Sequence, residues 1–266
     1  MRNHITAIPP LIILSGGEHT VCEAGTDPRP LLAPEAMRGS DAFVIHDPDK
    51  SLWNKYAATF NENGYAAKAF DLTDIKRCRR YNPFAYLRDE GGVQTLADAL
   101  IGGTQGLGEP GDTDFVSRET LLLTALIGFI YLEAPDYEMK LWTLIYMLEH
   151  MIQEGYEDGD ITAVDYLIME KGEKEPEHFA VRKYSEYEDA VGGDARRVIA
   201  SCIARLAPLN TPATDFMTGD DILLDLLSAT KTALFVISGE PGADFGFIAR
   251  LMYAQLFDLL RDNGVL

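Results

Sequence analysis

The chain has 266 residues, of which 47% are hydrophobic, and it carries a formal net charge of −19 at pH 7. A chain of this length and apolar content can bury one large core or two modest ones, and its excess of carboxylates repels nucleic-acid phosphates. The three cysteines, Cys22, Cys78 and Cys202, have no paired spacing. This argues against a disulfide framework and a zinc site, and it favours a reducing compartment.

The charge is distributed unevenly along the chain. Residues 1–90 contain 11 basic and 12 acidic side chains, residues 91–231 contain 10 and 26, and residues 232–266 contain 2 and 4. The middle of the chain is therefore an acidic body that attracts basic partners. Plain solubility is the alternative explanation for such a charge.

The first third of the chain has the pattern of an α/β domain. Residues 11–14 and 42–46 form short apolar runs that predict strands, residues 51–63 have helical spacing, and residues 65–72 return to a strand pattern. A strand, a helix and a strand in close succession predict a βαβ unit and hence a parallel sheet.

From residue 90 onwards the hydrophobic spacing becomes helical. Val93, Leu96, Ala97, Leu100 and Ile101 share one predicted helical face. Two apolar runs, residues 121–132 and 139–152, then predict a central helical hairpin, with Asp136 capping the second helix and Trp142 on its buried face. A membrane span is the competing interpretation, but it needs about 20 apolar residues, whereas charged side chains bracket the first run.

Further helices are predicted before the α/β pattern returns. We expect Asp160 to cap a helix that ends near Met169, the charged residues 170–177 to form a solvated loop, and residues 179–187 and 195–206 to be helical.

The end of the chain repeats the α/β pattern of its beginning. Residues 232–237 predict a buried strand, and residues 244–260 predict a last amphipathic helix. The order indicates an all-α domain, residues 91–231, inserted into an α/β domain formed by residues 1–90 and 232–266, whose two parts meet in space.

Four segments in this order resemble the coupling ATPases of type IV secretion systems, the TraG/TraD-like family. They are Phe43–Pro48, Arg80–Phe84, Thr232–Ile237 and Tyr253–Leu260. The resemblance spans roughly residues 25–262. It implies a partial RecA-like P-loop NTPase sheet with an inserted all-α domain that takes part in substrate recognition. The family's motor is a membrane-tethered hexamer that uses ATP and Mg²⁺ to drive DNA and protein substrates into the secretion channel.

The chain departs from the family where the nucleotide would bind. Residues 23–30 stand at the place of the glycine-rich phosphate loop, where Asp27 would repel phosphate and Arg29 is poorly placed to replace the lysine. Only Asp47 and Pro48 match the family's Asp-Pro-Lys-Gly-Glu motif. The acidic strand that holds Mg²⁺ in the family would follow the last helix. We therefore expect no cofactor and no catalytic residue in this chain alone, so that it neither binds ATP tightly nor hydrolyses it.

Several polar residues are candidate sites, each with an ordinary structural alternative. Asp47 could hold a metal or water, or cap the following helix, and Ser15 with the two glycines after it could form half a phosphate loop or an ordinary turn. Glu149, His150 and Glu154 could suggest a metal, but a partly exposed histidine without metal is favoured.

Two charged clusters could bind partners. A basic cluster could contact nucleic-acid phosphates, although an intrachain or subunit contact is favoured. An acidic set could dock a basic signal peptide or be solvated surface. The basic cluster comprises Lys76, Arg77, Arg79 and Arg80, and the acidic set comprises Glu154, Glu157, Asp158, Asp160 and Asp165.

Three interpretations of the chain's role remain open from the sequence. The acidic all-α domain could recruit basic transfer proteins, such as a relaxase, to the type IV secretion components. Alternatively, the chain could be part of an active translocase that flanking or partner sequence completes, or a decayed fragment. We expect a cytoplasmic chain, at most peripheral to the inner membrane, that could form hexamers as the family does and whose direct binding to DNA is doubtful.

Overall fold

The chain forms two compact units. The first unit comprises residues 1–81 and 219–266, and the second comprises residues 82–218. A computed structural model of the chain describes residues 8–15, 18–35, 37–152, 160–210, 212–227, 229–240 and 245–262.

Within these described residues, five strands and eight α-helices make up the regular structure. The strands are β1 (Leu11–Ser15), β2 (Glu18–Val21), β3 (Ala42–His46), β4 (Ala66–Asp71) and β5 (Thr232–Ile237). The helices are α1 (Ser51–Glu62), α2 (Glu90–Gly103), α3 (Thr113–Glu133), α4 (Leu141–His150), α5 (Ala163–Lys174), α6 (Phe179–Val191), α7 (Ala195–Leu206) and α8 (Gly246–Asp262).

The first unit is built on a mixed sheet with the strand order β2-β1-β3-β5-β4. The β3–β5 and β5–β4 pairs are parallel, whereas β1 is antiparallel to both of its neighbours. The expectation of a parallel sheet therefore holds only for three strands. The sequence did not predict β2, because its four residues lie at the sheet edge and are mostly exposed, without an apolar run.

Strand β5 joins the two ends of the chain in one sheet. It lies between β3 and β4, with Leu234 opposite Val44 and Phe235 opposite Ala69. Every residue of β5 is buried, which explains its unbroken apolar sequence, because a central parallel strand is covered on both faces. Strands β3 and β4, which α1 connects in the chain, therefore belong to the same sheet, but β5 lies between them.

An aromatic cluster fixes α1 against the sheet. The Phe60 ring makes edge-to-face contacts with Phe43, Tyr65 and Phe235, at centroid distances of 5.1, 5.5 and 5.7 Å. Such pairs add about 0.5–1.5 kcal/mol each beyond area burial. The Tyr65 hydroxyl also donates to the Met37 carbonyl at 2.8 Å, which satisfies the polar tip of a buried ring.

The second unit has α3 at its centre. Helix α3 packs mainly against α6 and α2, with α7 and α4 as further neighbours, so the predicted hairpin of α3 and α4 is not the main contact. Gly128 allows the close approach of α6, since a Cβ at this position would lie 2.8 Å from a ring carbon of Phe179. Among the described helices, α3 is the one whose length and hydropathy would also suit a membrane span, and 56% of its apolar window is buried within the protein.

Helix α4 begins later than its sequence suggested. Asp136 opens a separate 3₁₀ turn, Asp136–Glu138, and Lys140 is the N-cap residue of α4 without a side-chain hydrogen bond. The prediction that Asp136 caps α4 is therefore wrong. The predicted run began at Met139, but Met139 ends the 3₁₀ turn and Lys140 precedes the helix, so α4 begins two residues later, at Leu141.

Helix α5 includes charged residues that the sequence analysis assigned to a loop. Its N-cap is Thr162 in a capping box with Asp165, so the prediction of Asp160 as the cap is wrong. The helix continues to Lys174, and Glu170 accepts a hydrogen bond from Lys174 at 2.7 Å. Oppositely charged side chains four residues apart support a solvent-facing helix, which an analysis of apolar spacing overlooks.

Candidate functional site

The carboxyl ends of the parallel strands in the first unit bring several polar side chains to one edge of the sheet. His46 ends β3, Asp71 ends β4 and Ser238 follows β5. Ligands of open α/β sheets bind at this edge. The sequence could not identify this set, because it depends on β5 lying between β3 and β4.

Asp47, which follows β3, caps helix α1. Its side chain is fully buried and accepts hydrogen bonds from the backbone N–H groups of Leu52, at 3.0 Å, and Trp53, at 2.7 Å. Burial raises the pKa of the Asp47 carboxyl, and the two hydrogen bonds oppose part of that rise. The capping alternative is therefore confirmed, while the match of Asp47 and Pro48 to the family motif remains a prediction about nucleotide binding.

Lys50 and Asp71 form an ion pair at the same edge. The Lys50 Nζ lies 2.6 Å from Asp71 Oδ2, and Thr73 donates to Asp71 Oδ1 through its backbone N–H at 3.1 Å and its hydroxyl at 2.6 Å. Burial alone would raise the pKa of Asp71, but the hydrogen bonds from Lys50 and Thr73 outweigh it, and the pKa is lowered. Lys50 has a φ of 64°, a left-handed conformation that is uncommon for a residue with a side chain.

His46 completes the edge. Its Nε2 lies 2.9 Å from Ser238 Oγ, and its ring meets the Tyr253 ring edge-on at a centroid distance of 6.3 Å. Burial lowers the pKa of His46 and raises that of Tyr253. Each of these side chains at the sheet edge therefore has a partner within the chain. His46 contacts Ser238, Asp47 caps α1, and Lys50 forms an ion pair with Asp71.

The segment at the place of the family's phosphate loop differs from such a loop in its charge pairing and in the helix that follows it. Asp27 accepts hydrogen bonds from the Arg29 backbone N–H at 3.0 Å and from its Nε at 2.8 Å. The Arg29 charge is thus paired within the chain, and the short 3₁₀ helix Arg29–Leu32 follows instead of an α-helix with free N–H groups.

The strands β1 and β2 bracket the other candidate phosphate loop. Ser15 pairs with Glu18 across an antiparallel hairpin, and Gly16 and Gly17 lie outside the described residues. A phosphate loop lies between a strand and a helix N-terminus, whereas residues 16 and 17 lie between two paired strands. The flanking structure therefore favours the ordinary turn.

The four residues of the predicted basic cluster differ in their exposure and in their contacts. Arg80 donates to both carboxylate oxygens of Asp221, with Nε–Oδ2 and Nη2–Oδ1 distances of 2.9 Å each, so it has the intrachain role that was favoured. Lys76 and Arg77 are exposed and Arg79 is half-buried. A nucleic-acid or subunit contact through these three residues remains a prediction.

The predicted acidic set is described only in part. Glu154, Glu157 and Asp158 lie outside the described residues. Asp160 is exposed, whereas Asp165 accepts hydrogen bonds from the Thr162 backbone N–H, at 2.6 Å, and from the Tyr184 hydroxyl. Asp165 thus holds the start of α5 in place, and its docking role stays a prediction that competes with this structural one.

Helix α4 presents an aromatic face that the sequence analysis missed. Trp142 is 53% exposed and Tyr146 is 46% exposed, so the prediction that Trp142 lies on the buried face is wrong. Leu141, Leu144 and Leu148 form the buried stripe instead. The i, i+4, i+8 spacing of Trp142, Tyr146 and His150 would have shown this face, because residues four apart lie one above another on a helix.

The three rings form a continuous stack. The Trp142 and Tyr146 rings are stacked at 5.4 Å, and the Tyr146 and His150 ring centroids lie 3.8 Å apart. His150 Nδ1 lies 2.8 Å from the Tyr146 carbonyl oxygen. In the part of the chain that the structure describes, no group of three His, Cys, Asp or Glu side chains could hold a metal ion, and Glu154 of the candidate metal group lies outside that part.

Comparison with known proteins assigns the chain to a family. A family model described as type IV secretory system conjugative DNA transfer matches residues 31–264, which include most of both units. A comparison with curated proteins finds no match. The resemblance in the four sequence segments is thereby confirmed. The chain belongs to the type IV secretory system conjugative DNA transfer family of TraG/TraD-like coupling proteins.

Proposed function

We propose that the second unit recruits basic transfer substrates, such as a relaxase or the signal of a secreted protein, to the secretion channel. The observation that carries this proposal is the concentration of charge. Residues 82–218 contain 25 acidic and 10 basic side chains, whereas the first unit contains 17 and 13. The second unit thus attracts basic proteins and repels DNA phosphates.

The helical composition of the second unit supports its identification with the family's inserted all-α domain. Its described regular structure consists of α-helices and 3₁₀ helices, and it interrupts the first unit between Tyr81 and Gly219. An acidic surface steers a basic partner toward contact. At physiological salt, the attraction between exposed charges is largely screened when they are more than about 8 Å apart. Recruitment of this kind therefore has to depend on ionic strength.

A direct binding measurement tests the proposal. The full chain is titrated with a basic relaxase of its own conjugation system at about 50 mM and about 300 mM salt, on either side of the range where screening becomes strong. We expect the affinity to fall by an order of magnitude or more at the higher salt. Binding that is unchanged at high salt, or no binding at either concentration, would contradict electrostatic recruitment.

The second candidate function is an active ATP-driven translocase to which this chain contributes one part. The observation in its favour is the carboxyl edge of the parallel strands, where Asp47, Lys50 and Asp71 stand at the usual ligand position of α/β sheets. Against it, Asp27 and Arg29 pair with each other where phosphates would bind. In either function, we expect the chain to act at the cytoplasmic face of the secretion apparatus.

A further inference from the structure

An aromatic ladder, defined by Trp142, Tyr146 and His150, shares helix α4 with one exposed carboxylate and follows two others in the chain. Asp136 and Glu138 precede α4, and Glu149 lies on the exposed side of the helix beside the ladder. Glu138 accepts a hydrogen bond from the Thr143 hydroxyl at 3.1 Å, and Glu149 accepts one from the Asn210 amide at 2.8 Å. Both of these donors are neutral, so the charges of the carboxylates are not compensated.

These carboxylates differ from many others of the second unit. Among the described residues, Asp136, Glu138 and Glu149 form no ion pair with a Lys or Arg side chain. Elsewhere on the unit, ion pairs form readily. They include Glu133–Lys171, Glu170–Lys174, Glu186–Lys183, Glu109–Arg197 and Asp194–Arg118. The ladder thus combines exposed aromatic side chains with carboxylates that form no ion pair among the described residues.

We propose that the ladder and its three carboxylates form a docking site for an extended, arginine-containing segment of a transfer substrate. The proposal rests on the proposed function and gives that function a site. A guanidinium group is planar, stacks on aromatic faces, and keeps its N–H donors free for carboxylates at the ring edges. An arginine can therefore stack on the face of Trp142 that Tyr146 does not cover, while neighbouring arginines donate to Glu138 and Glu149.

The charge of the site distinguishes this occupant from two others. Nucleotide bases also stack on exposed aromatic rings, but their phosphates would approach uncompensated carboxylates. A second copy of the chain, docked through the same face, would bring Asp136, Glu138 and Glu149 against their own equivalents, because a two-fold interface pairs a surface with itself. A cationic peptide satisfies both the rings and the carboxylates.

The experiment uses the full chain and a fluorescein-labelled peptide of repeated Gly-Ser-Arg units, with binding followed by fluorescence anisotropy. Trp142→Ala should weaken binding about three- to fivefold, as expected for an exposed cation–π contact, and Tyr146→Ala, which removes the ring stacked on Trp142, should also weaken it. The triple variant Asp136→Asn/Glu138→Gln/Glu149→Gln should weaken it about tenfold. A peptide with lysine in place of arginine should bind less tightly than the arginine peptide, because an ammonium group is more strongly hydrated and does not stack.

Two matched controls separate the site from general charge and general hydrophobicity. Tyr166→Ala removes another exposed aromatic ring, which is 62% exposed on α5. The triple variant Glu109→Gln/Glu170→Gln/Glu186→Gln removes the same number of charges, but from carboxylates that already pair with cations of the chain. Both controls should bind the peptide within about twofold of the wild type, and thermal melts verify that every variant is folded.

The outcomes separate failure of this site from failure of the proposed function. If the wild type binds the peptide and the ladder variants bind it equally well, the site is wrong while recruitment by the acidic unit stands. If the wild type binds neither the peptide nor a basic relaxase, both are wrong. Tight binding of single-stranded oligothymidine that Trp142→Ala abolishes would replace the peptide site with a nucleic-acid site. Loss of a dimer in the ladder variants would replace it with a contact between copies.

Discussion

Arg205 donates hydrogen bonds to both carboxylate oxygens of Glu119 in the interior of the helical unit. Nε lies 2.8 Å from Oε1, and Nη2 lies 2.7 Å from Oε2. The two side chains are 6% and 0% exposed. The Ser201 hydroxyl donates to the same carboxylate at 2.5 Å, and Arg205 Nη1 donates to the Thr104 carbonyl at 3.1 Å. The pair thus joins α3 to α7 with nearly all of its polar atoms satisfied.

Removal of one member of this pair should destabilise the second unit strongly. Arg205→Met leaves the Glu119 carboxylate buried without its cation, and we expect the free energy of unfolding to fall by about 3 kcal/mol or more. The double variant Glu119→Leu/Arg205→Met should recover much of that loss, because both charges are gone. Urea unfolding followed by circular dichroism measures the differences.

The control for this prediction is the exposed pair of Arg80 and Asp221, whose side chains are 57% and 39% exposed. Solvent screens this pair, so Arg80→Met should lower the free energy of unfolding by less than about 1 kcal/mol. An Arg205→Met variant that is no less stable than Arg80→Met would contradict the importance of the buried pair.

The sequence predicted well those elements whose pattern is local. The five apolar residues assigned to one face of α2 are all buried, and β5 covers the predicted residues 232–237. The sequence did not reveal the pair of Glu119 and Arg205, because the partner of a buried charge lies far away in the chain. The capping of α1 by Asp47 could be predicted as one alternative, because it involves residues that are close in the chain. The side chains that lie near Asp47 at the sheet edge could not be predicted, because they depend on the order of the strands.

The position of Trp142 shows a second limit of apolar spacing. Helical spacing placed Trp142 on one face with Ile145 and Leu148, but a helix with this many apolar side chains cannot bury all of them against one neighbouring layer. The buried stripe follows Leu141, Leu144 and Leu148, and the remaining rings face solvent. Which stripe is buried depends on the packing partners of the helix, and its own sequence does not specify them.

Gly128 and Gly102 should respond in opposite directions to the same substitution. Gly128→Ala would place a Cβ 2.8 Å from the Phe179 ring in the contact between α3 and α6, so the ring or the helices would have to shift. Gly102, near the end of α2, has no other atom within 4 Å of its ideal Cβ position. We expect Gly128→Ala to lower the midpoint of thermal unfolding, and Gly102→Ala to raise stability by up to about 1 kcal/mol through helix propensity.

A rise in the unfolding midpoint for Gly128→Ala would show that α6 is not held as close to α3 as the structure places it. Gly102→Ala serves as the control, because it makes the same chemical change on a helix surface with free space.

Replacement of Asp47 should loosen the start of α1. Asp47→Ala removes the acceptor for the N–H groups of Leu52 and Trp53, and loss of a cap typically costs about 1–2 kcal/mol. Asp47→Asn keeps one acceptor oxygen and should be less damaging. Hydrogen exchange of the Leu52 and Trp53 amides measures the effect directly. Equal protection of these amides in the wild type and in Asp47→Ala would contradict the capping role.

His46 should make the first unit less stable in mild acid. Burial lowers the pKa of His46 in the folded chain, whereas an unfolded histidine titrates near about 6.5. As the pH falls below the unfolded value, the unfolded chain takes up a proton that folded His46 resists, so stability is lost. Thermal unfolding of the wild type and His46→Gln at several pH values should show a smaller acid loss in the variant. An acid loss that is equal in the wild type and in His46→Gln would contradict the prediction.

Addition of ATP and Mg²⁺ to the full chain should change neither its unfolding temperature nor the amount of free phosphate. A ligand that binds the folded state raises stability in proportion to RT ln(1 + [L]/Kd), so tight binding would be visible as a thermal shift. No shift is expected, because Asp27 and Arg29 neutralise each other where phosphates would have to be held, and Asp47 is already engaged by α1. A thermal shift or phosphate release that disappears in Asp47→Ala would instead favour the translocase function, since it would show that the sheet edge handles nucleotide despite this pairing.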